Sequence, residues 1–444
     1  MIDWRRATDE LARLAAHAAP ARLLSVTLPL PRWPEIDPAA AGDWCVWRRP
    51  EQGLRLAGAG MAFHAESTGE GRFAALHAAQ RGLAEGWRFA SGTPRAFLGF
   101  AFAPQGGAPL PNARLWVPEL LCAEQDGRTT LTLSCAAGEA DAAPARWRAL
   151  WRKMTEPAAV PAGLTFSILP NPLAEEAFLA RGRAALAAIA RGGIDKLVLT
   201  RALRLAGDFA QVSGPLLDAL AARHPACATF GVGQGDHGDW SFVGASPEIL
   251  LAAAGERVAV DALAGTAWQA SARALGDEKN RREHDFVARA VAAALAGLCD
   301  DIAVPAEPEV MRVDTLTHLR RRVTARRPAG TGALDLVARL HPTPAVGGAP
   351  TPAALDWLAR HGEARAAWYT GGIGWIDAAG DCDIAVALRC GLFTAGAATL
   401  QAGAGFVAGS DPEQELAETG AKLAALLDAL AALPAVAARE EAAA

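Results

Sequence analysis

Several charged residues in this chain have types and settings that suit proton transfer beside a small anion. Lys196 follows Gly192-Gly193-Ile194-Asp195 and heads an apolar run, KLVLTRALRL. A lysine at the mouth of a strand is most often an edge charge that reaches for water. Enclosed in a cleft near other cations, it gives up its proton more easily and can serve as a base. Glu248 stands in FVGASPEIL, where a Gly-Ala-Ser-Pro turn interrupts two strands and presents the carboxyl at a sheet end among apolar residues. Taken alone it reads as a turn glutamate. As chemistry it is a general acid whose apolar flank holds its proton near neutrality.

Glu283 and His284 lie in the helical segment KNRREHDFVARAV, whose charge density by itself describes a solvated face. Near the carboxyl end, Asp411 is placed to cap a helix, with Pro412 at its first position and Gln414 three residues after the cap. That register puts Glu415, Glu418 and Lys422 on one face, three and four residues apart. An ordinary surface Glu–Lys pair is one reading of them. Two carboxylates from separate helices, Glu283 and Glu418, would also suit a hard cation that keeps several waters and meets an anionic substrate, as Mg²⁺ does. Arg389 interrupts the apolar strand IAVALRC and suits a two-pronged grip on a carboxylate. Glycine-rich segments at Ala264-Gly265-Thr266, 369–375 and 402–406 let backbone N–H groups approach an anion. None has the form of a Walker loop or a dinucleotide fingerprint. Residue types and spacing thus reach an enzyme that binds a small anion, and stop there.

The elements that must carry these groups come in blocks. The first 155 residues give a helix near 3–18, strands over Leu23–Leu30, Arg95–Phe102, Leu115–Cys122 and Thr129–Cys135, and a loop over Ala136–Pro144. Beyond Pro170 come a helix over Leu173–Arg191 and strands at Lys196–Leu205, Ser241–Gly244, Glu248–Leu251 and Val258–Asp261. A long helix follows over Asp277–Leu298, then strands at Gly371–Ile376, Ile384–Phe393 and Thr399–Ala404 and a last helix over Pro412–Leu430. Strands and helices in blocks, without strict βαβ alternation, predict an α+β fold of antiparallel sheets flanked by helices. At 444 residues the chain can bury a large core. Its net charge of −5 sets up no basic field for nucleic acid. The first residues read as an amphipathic helix and not a leader, and no apolar run is long enough to span a membrane, so the expected compartment is the cytoplasm. The seven cysteines are scattered among apolar neighbours and read as reduced core residues.

The order of the segments is more specific than any one of them. KLVLTR at 196–201, FVGASPE at 242–248, ALAGT at 262–266, REH at 282–284, HPTPAVGGAP at 341–350, YTGGIGW at 369–375, LRC at 388–390, AGAGFV at 402–407 and E-x-x-E-T-G-x-K at 415–422 together resemble the chorismate-utilising enzymes. That family includes anthranilate, aminodeoxychorismate, salicylate and isochorismate synthases. The resemblance runs unbroken over about residues 170–432. It implies that residues 1–165 are the more divergent part of the same fold, with a frayed tail at 434–444.

Within the family, amine-transferring members resembling anthranilate synthase carry an uncharged residue where Lys196 stands. Members that add water at C2 of chorismate carry lysine. Aminodeoxychorismate synthases use a lysine nucleophile at the position of Ala264, which cannot form that adduct. HPTPAVGGAP has the isochorismate-synthase form, with Thr351 where relatives read lysine. The resemblance therefore implies an Mg²⁺-dependent isochorismate synthase with Lys196 as base and Glu248 as acid. Glu283 and Glu418 would be the metal ligands, Glu415 acting through water. Ala264, Gly265, Thr266, His318, Ala345, Arg389, Gly403 and Lys422 would contact substrate. A salicylate synthase, an ammonia-using lyase and a non-catalytic binding subunit are the alternatives. The expected partner is chorismate alone, with no glutamine amidotransferase, and the expected state is a monomer. The long amino-terminal portion and GSDPEQE look more like menaquinone-pathway than siderophore-pathway synthases.

Overall fold

A computed structural model describes residues 2–156, 164–234, 239–268, 278–313 and 316–433, without the side chains of 172, 266–268 and 278–283. Among these residues, two large sheets of thirteen and ten strands lie between layers of helices. Their pairings are antiparallel apart from the parallel Leu24–Arg88 contact. The expected antiparallel α+β architecture is the one observed.

Strands buried on both faces explain the near-continuous apolar runs. Along Arg95–Phe100, Phe97 enters the core between the sheets, while Leu98 and Phe100 enter the core beneath the helices. Phe242 and Val243 part in the same way on the Trp240–Ser246 strand. The core between the sheets is aromatic, built on Trp47, Phe97, Trp116, Phe230, Phe242 and Trp368, with Phe97 and Trp116 stacked at 5.6 Å. Helices Arg72–Gly86, Glu278–Leu295 and Ala333–Leu340 cover the ten-stranded sheet. Helices Ser213–Arg223 and Pro412–Ala431 cover part of the thirteen-stranded one.

Three sequence expectations need correction, two of them at points where the chain changes sheet. Leu115–Cys122 is two strands, Ala113–Val117 in the ten-stranded sheet and Leu120–Gln125 in the other. The break falls at Pro118-Glu119, where proline cannot donate to a ladder. Ile384–Phe393 also divides, into Cys382–Val386 and Cys390–Thr394, again in different sheets. Both halves are apolar, so hydropathy alone could not reveal the junction. The supposed loop Ala136–Pro144 holds a short 3₁₀ turn and the start of helix Ala143–Thr155, which buries Trp147 and Met154.

A further sheet change leads from Trp240–Ser246 to Ile249–Ala254, and it lies beside the change from Cys382–Val386 to Cys390–Thr394. The Ala245 amide donates to the Arg389 carbonyl at 3.1 Å and the Val386 amide to the Glu248 carbonyl at 3.0 Å. Ser246 Oγ donates to the Val386 carbonyl at 2.6 Å. Gly244 allows this approach, because a β-carbon there would lie 2.4 Å from Cys390 Cβ and 2.8 Å from the Arg389 carbonyl. Gly244→Ala is therefore expected to cost about 1–3 kcal/mol of stability by overpacking, read by denaturant unfolding.

Candidate active site

Lys196 opens the Lys196–Gly207 strand and is clamped from both sides, opposite Val407 on one neighbour and Ala349 on the other. The HPTPAVGGAP segment makes the second clamp. The Asp195 amide donates to the Ala349 carbonyl at 2.7 Å, and the Val198 amide to the Gly347 carbonyl at 3.2 Å. Gly348 has φ +139, and a β-carbon there would lie 2.3 Å from the Lys196 carbonyl. Glycine is required on both counts. Ala345 is a partly buried member of this covering segment. Arg365 pins the segment by donating to the Val346 carbonyl at 2.8 Å and the Val198 carbonyl at 3.1 Å. Lys196 is only 1% exposed, so the edge-charge reading is excluded.

Glu248 occupies the turn between the sheets and is 2% exposed. Its Oε1 has no hydrogen-bond partner among the described residues. Burial, reinforced by the nearby Asp261 charge, raises its pKa from 4.5 to about 8, while Lys196 and Lys422 pull it down. The carboxyl thus carries its proton at neutrality and feels the Lys196 charge directly. This is the environment expected of a general acid.

Cations and a neutral histidine complete the cluster. Arg389 does not lie in a strand, as its apolar setting suggested. It sits at the sheet change with φ +48, a left-handed conformation immediately before the Cys390–Thr394 strand. Its Nη2 lies 3.2 Å from His318 Nε2. Guanidinium nitrogens only donate, so Nε2 accepts and the ring proton lies on Nδ1. His318 is buried, and burial followed by the charges of Arg389 and Lys422 holds its pKa well below the usual value. A backbone hydrogen bond with Gly265 opposes that shift. Gly265, with φ +75, lies at the bulge that follows Ala264 in the Arg257–Trp268 strand.

Helix Pro412–Ala431 supplies the remaining groups. Asp411 caps it as expected, accepting from the Glu413 amide at 3.0 Å. Lys422 Nζ donates to the Gly403 carbonyl at 2.8 Å and pairs with Glu418 at 2.5 Å. Glu418 and Lys422 are 20% and 14% exposed, which excludes a simple surface pair. Glu415, one turn earlier, is buried. Two carboxylates a turn apart on one helix supply hard oxygen donors suited to Mg²⁺. No cluster of three or more potential ligands occurs among the described residues. The side chains of Glu283 and Thr266 lie outside the described residues.

A cavity of about 950 Å³ lies elsewhere, bordered by Arg49, Ile249, Arg322, Trp375 and Asp383. It contains none of the groups above, whereas those groups couple to one another electrostatically. Perturbed, mutually coupled titratable groups of this kind make the charged cluster the candidate site. Sequence inspection passed over Asp261, a buried carboxylate within the apolar run VAVDALAG that Arg322 grips with two nitrogens at 2.9 and 3.2 Å. A lone acid in an apolar strand was the available signal.

A family model described as "Chorismate binding enzyme" matches residues 11–431, and the chain belongs to that family. It is 31% identical over 439 residues to the salicylate biosynthesis isochorismate synthase of Pseudomonas aeruginosa, covering 90% of this chain and 89% of that protein. It is 36% identical over 284 residues to the isochorismate synthase DhbC of Bacillus subtilis, covering 61% of this chain and 71% of that one. The fold is also that of the menaquinone-specific isochorismate synthase MenF of Escherichia coli, with a TM-score of 0.79 at 23% identity over 96% of this chain and 99% of that chain.

Because the folded protein holds Glu248 protonated up to about pH 8, the unfolded chain binds fewer protons between 4.5 and 8. Stability contributed by this group is complete below pH 4.5 and is lost as pH rises through 8. Glu248→Gln is expected to remove that part of the decline, so the variant's melting temperature should exceed the parent's above pH 8 and not at pH 5. Equal differences at both pH values would contradict the assignment.

Proposed function

We propose that this protein converts chorismate to isochorismate by adding water at C2 and releasing the C4 hydroxyl. The observation that carries this is the pairing of two buried groups, Lys196 and a Glu248 that is protonated at neutral pH, in one electrostatically coupled cluster. Family membership and relatives named isochorismate synthase support the same conversion.

Lys196, as the free amine, takes a proton from a water molecule as that water attacks C2 and the ring double bonds shift. Glu248 donates its proton to the hydroxyl leaving C4, which departs as water. One water enters and one leaves, so substrate and product are isomers. Arg389 and Lys422 hold the carboxylates by charge-assisted hydrogen bonds. His318 is kept neutral and uses Nε2 to fix the Arg389 guanidinium. Gly265 and Gly403 bring backbone close to the ring without side-chain bulk. Ala264, Thr266 and Ala345 are assigned to the same wall by the motifs that contain them. Ala264 offers no nucleophile, which favours water addition over an enzyme adduct.

Glu418 and Glu283 would hold Mg²⁺, with Glu415 acting through water, and the donor chemistry of the helix that bears Glu415 and Glu418 is right for that ion. When bound, the ion neutralises the substrate carboxylate. Strands from both ends of the chain share each sheet, which supports reading residues 1–165 and 170–432 as one fold with its chemistry in the latter. No described helix is long and apolar enough to cross a membrane. The assigned reaction needs neither an ammonia-delivering subunit nor a second copy of the chain, and we assign a cytoplasmic monomer.

Purified protein incubated with chorismate and Mg²⁺ should yield isochorismate on chromatography. Salicylate and pyruvate as sole products would overturn the proposal. Lys196→Ala should lower kcat at least about 100-fold, the usual contribution of a positioned base. Exhaustive chelation should abolish turnover and added Mg²⁺ restore it. Turnover that survives chelation would remove the metal assignment.

A further inference from the structure

Asp261 stands directly behind the Glu248 turn. It is 1% exposed, and its Oδ2 accepts a 3.3 Å hydrogen bond from the amide of Ile249, the residue after Glu248. The same carboxylate is held by two nitrogens of Arg322, Nε at 2.9 Å on Oδ1 and Nη2 at 3.2 Å on Oδ2. Arg322 is 40% exposed and can keep part of its hydration, whereas Asp261 cannot. The arginine therefore makes a buried negative charge tolerable at a place where an apolar residue would pack without penalty.

The arrangement fixes two properties of the neighbouring carboxyl. The hydrogen bond to Ile249 sets where the strand resumes after the turn, and so where Glu248 points. The charge acts on Glu248 between two buried side chains. Three groups on separate elements act on Glu248: Lys196 from its strand and Lys422 from the carboxyl-terminal helix favour its ionised form, and Asp261 opposes them. Beyond Asp261 lie Arg322, which binds it, and Asp383, which is paired with Arg49 at 2.8 Å. With two cations facing it, a glutamate on a turn would tend to ionise and lose its use as an acid. One fixed anion on the other side offsets them.

We propose that Asp261, held by Arg322, is a positioning residue for Glu248, anchoring its turn through Ile249 and placing a fixed negative charge behind it. This deepens the reading of Glu248 as the general acid and rests on it. Asp261 touches no reacting atom, so its removal should act on the proton inventory of Glu248 before it acts on substrate affinity.

The test is the pH dependence of kcat for isochorismate formation in the parent, Asp261→Asn and Asp261→Glu. Asp261→Asn should move the alkaline limb toward acid by about one pH unit, as removal of a close like charge does, with KM for chorismate changed less than twofold. Asp261→Glu should restore the limb. A uniform loss of kcat with the limb unmoved would overturn the proposal and leave Asp261 a structural residue. If Asp261→Asn does not fold, the double variant Asp261→Asn/Arg322→Gln, which leaves no unpaired buried charge, carries the same two readings. A parent enzyme that makes no isochorismate would instead overturn the functional assignment, so the two failures are distinguishable.

Discussion

The Ser246 hydroxyl on the Val386 carbonyl, with the amides of Ala245 and Val386 bonded to the carbonyls of Arg389 and Glu248, ties together two places where the chain leaves one sheet for the other. The placement of Glu248 and Arg389 depends on that joint. A strand inside a sheet points its side chains into packed cores on both faces. A chain passing between sheets must turn, and the turning residues escape both cores while staying buried. Glu248 is such a residue and Arg389 a partly buried one, and their backbones are hydrogen-bonded across the joint. An acid and a cation are thereby held at fixed separation by main-chain geometry, without reliance on flexible loops. The long strands beginning at Lys196 and ending at Val407 bring Lys196 and glycine backbone to the same end of the larger sheet.

The cost of this design is electrostatic. Lys196, Glu248, Asp261 and His318 are all nearly excluded from solvent, where isolated charges are strongly disfavoured. Three of these four are balanced in different ways. Glu248 stays protonated because burial and Asp261 outweigh two lysines. His318 stays neutral beside Arg389. Asp261 is paired with Arg322, and Lys422 is shared between Glu418 and a backbone carbonyl. The other arginines between 320 and 327 are likewise occupied, Arg320 with Glu309, Arg321 with Asp285, Arg326 with Asp300 and Asp301, and Arg327 with Asp381. This locally basic run serves the sheet and its edge and does not form an open cationic surface.

What could be read from the sequence followed the physics of each feature. Strand Leu23–Leu30 and the helix capped by Asp411 were readable because hydropathy and capping act within a few residues. The sheet changes at Pro118 and Arg389 were not, since an apolar strand has the same composition whichever sheet receives it. Lys196 and Glu248 were ambiguous one at a time, because a residue's burial is decided by distant segments such as Gly348 folding over the lysine. The order of the motifs supplied that tertiary information indirectly. Asp261 escaped notice because its partner, Arg322, lies sixty-one residues away and reads as one member of a charged run.

In the proposed reaction a proton is taken from water by Lys196 while another is given by Glu248 to a departing hydroxyl. Turnover of unlabelled chorismate in water enriched in oxygen-18 tests it most directly, with mass spectrometry of the product and its fragments. One solvent oxygen at C2 in each molecule of isochorismate is the predicted result. Product without solvent label would mean that the hydroxyl migrates within the substrate, and would contradict the roles given to both residues.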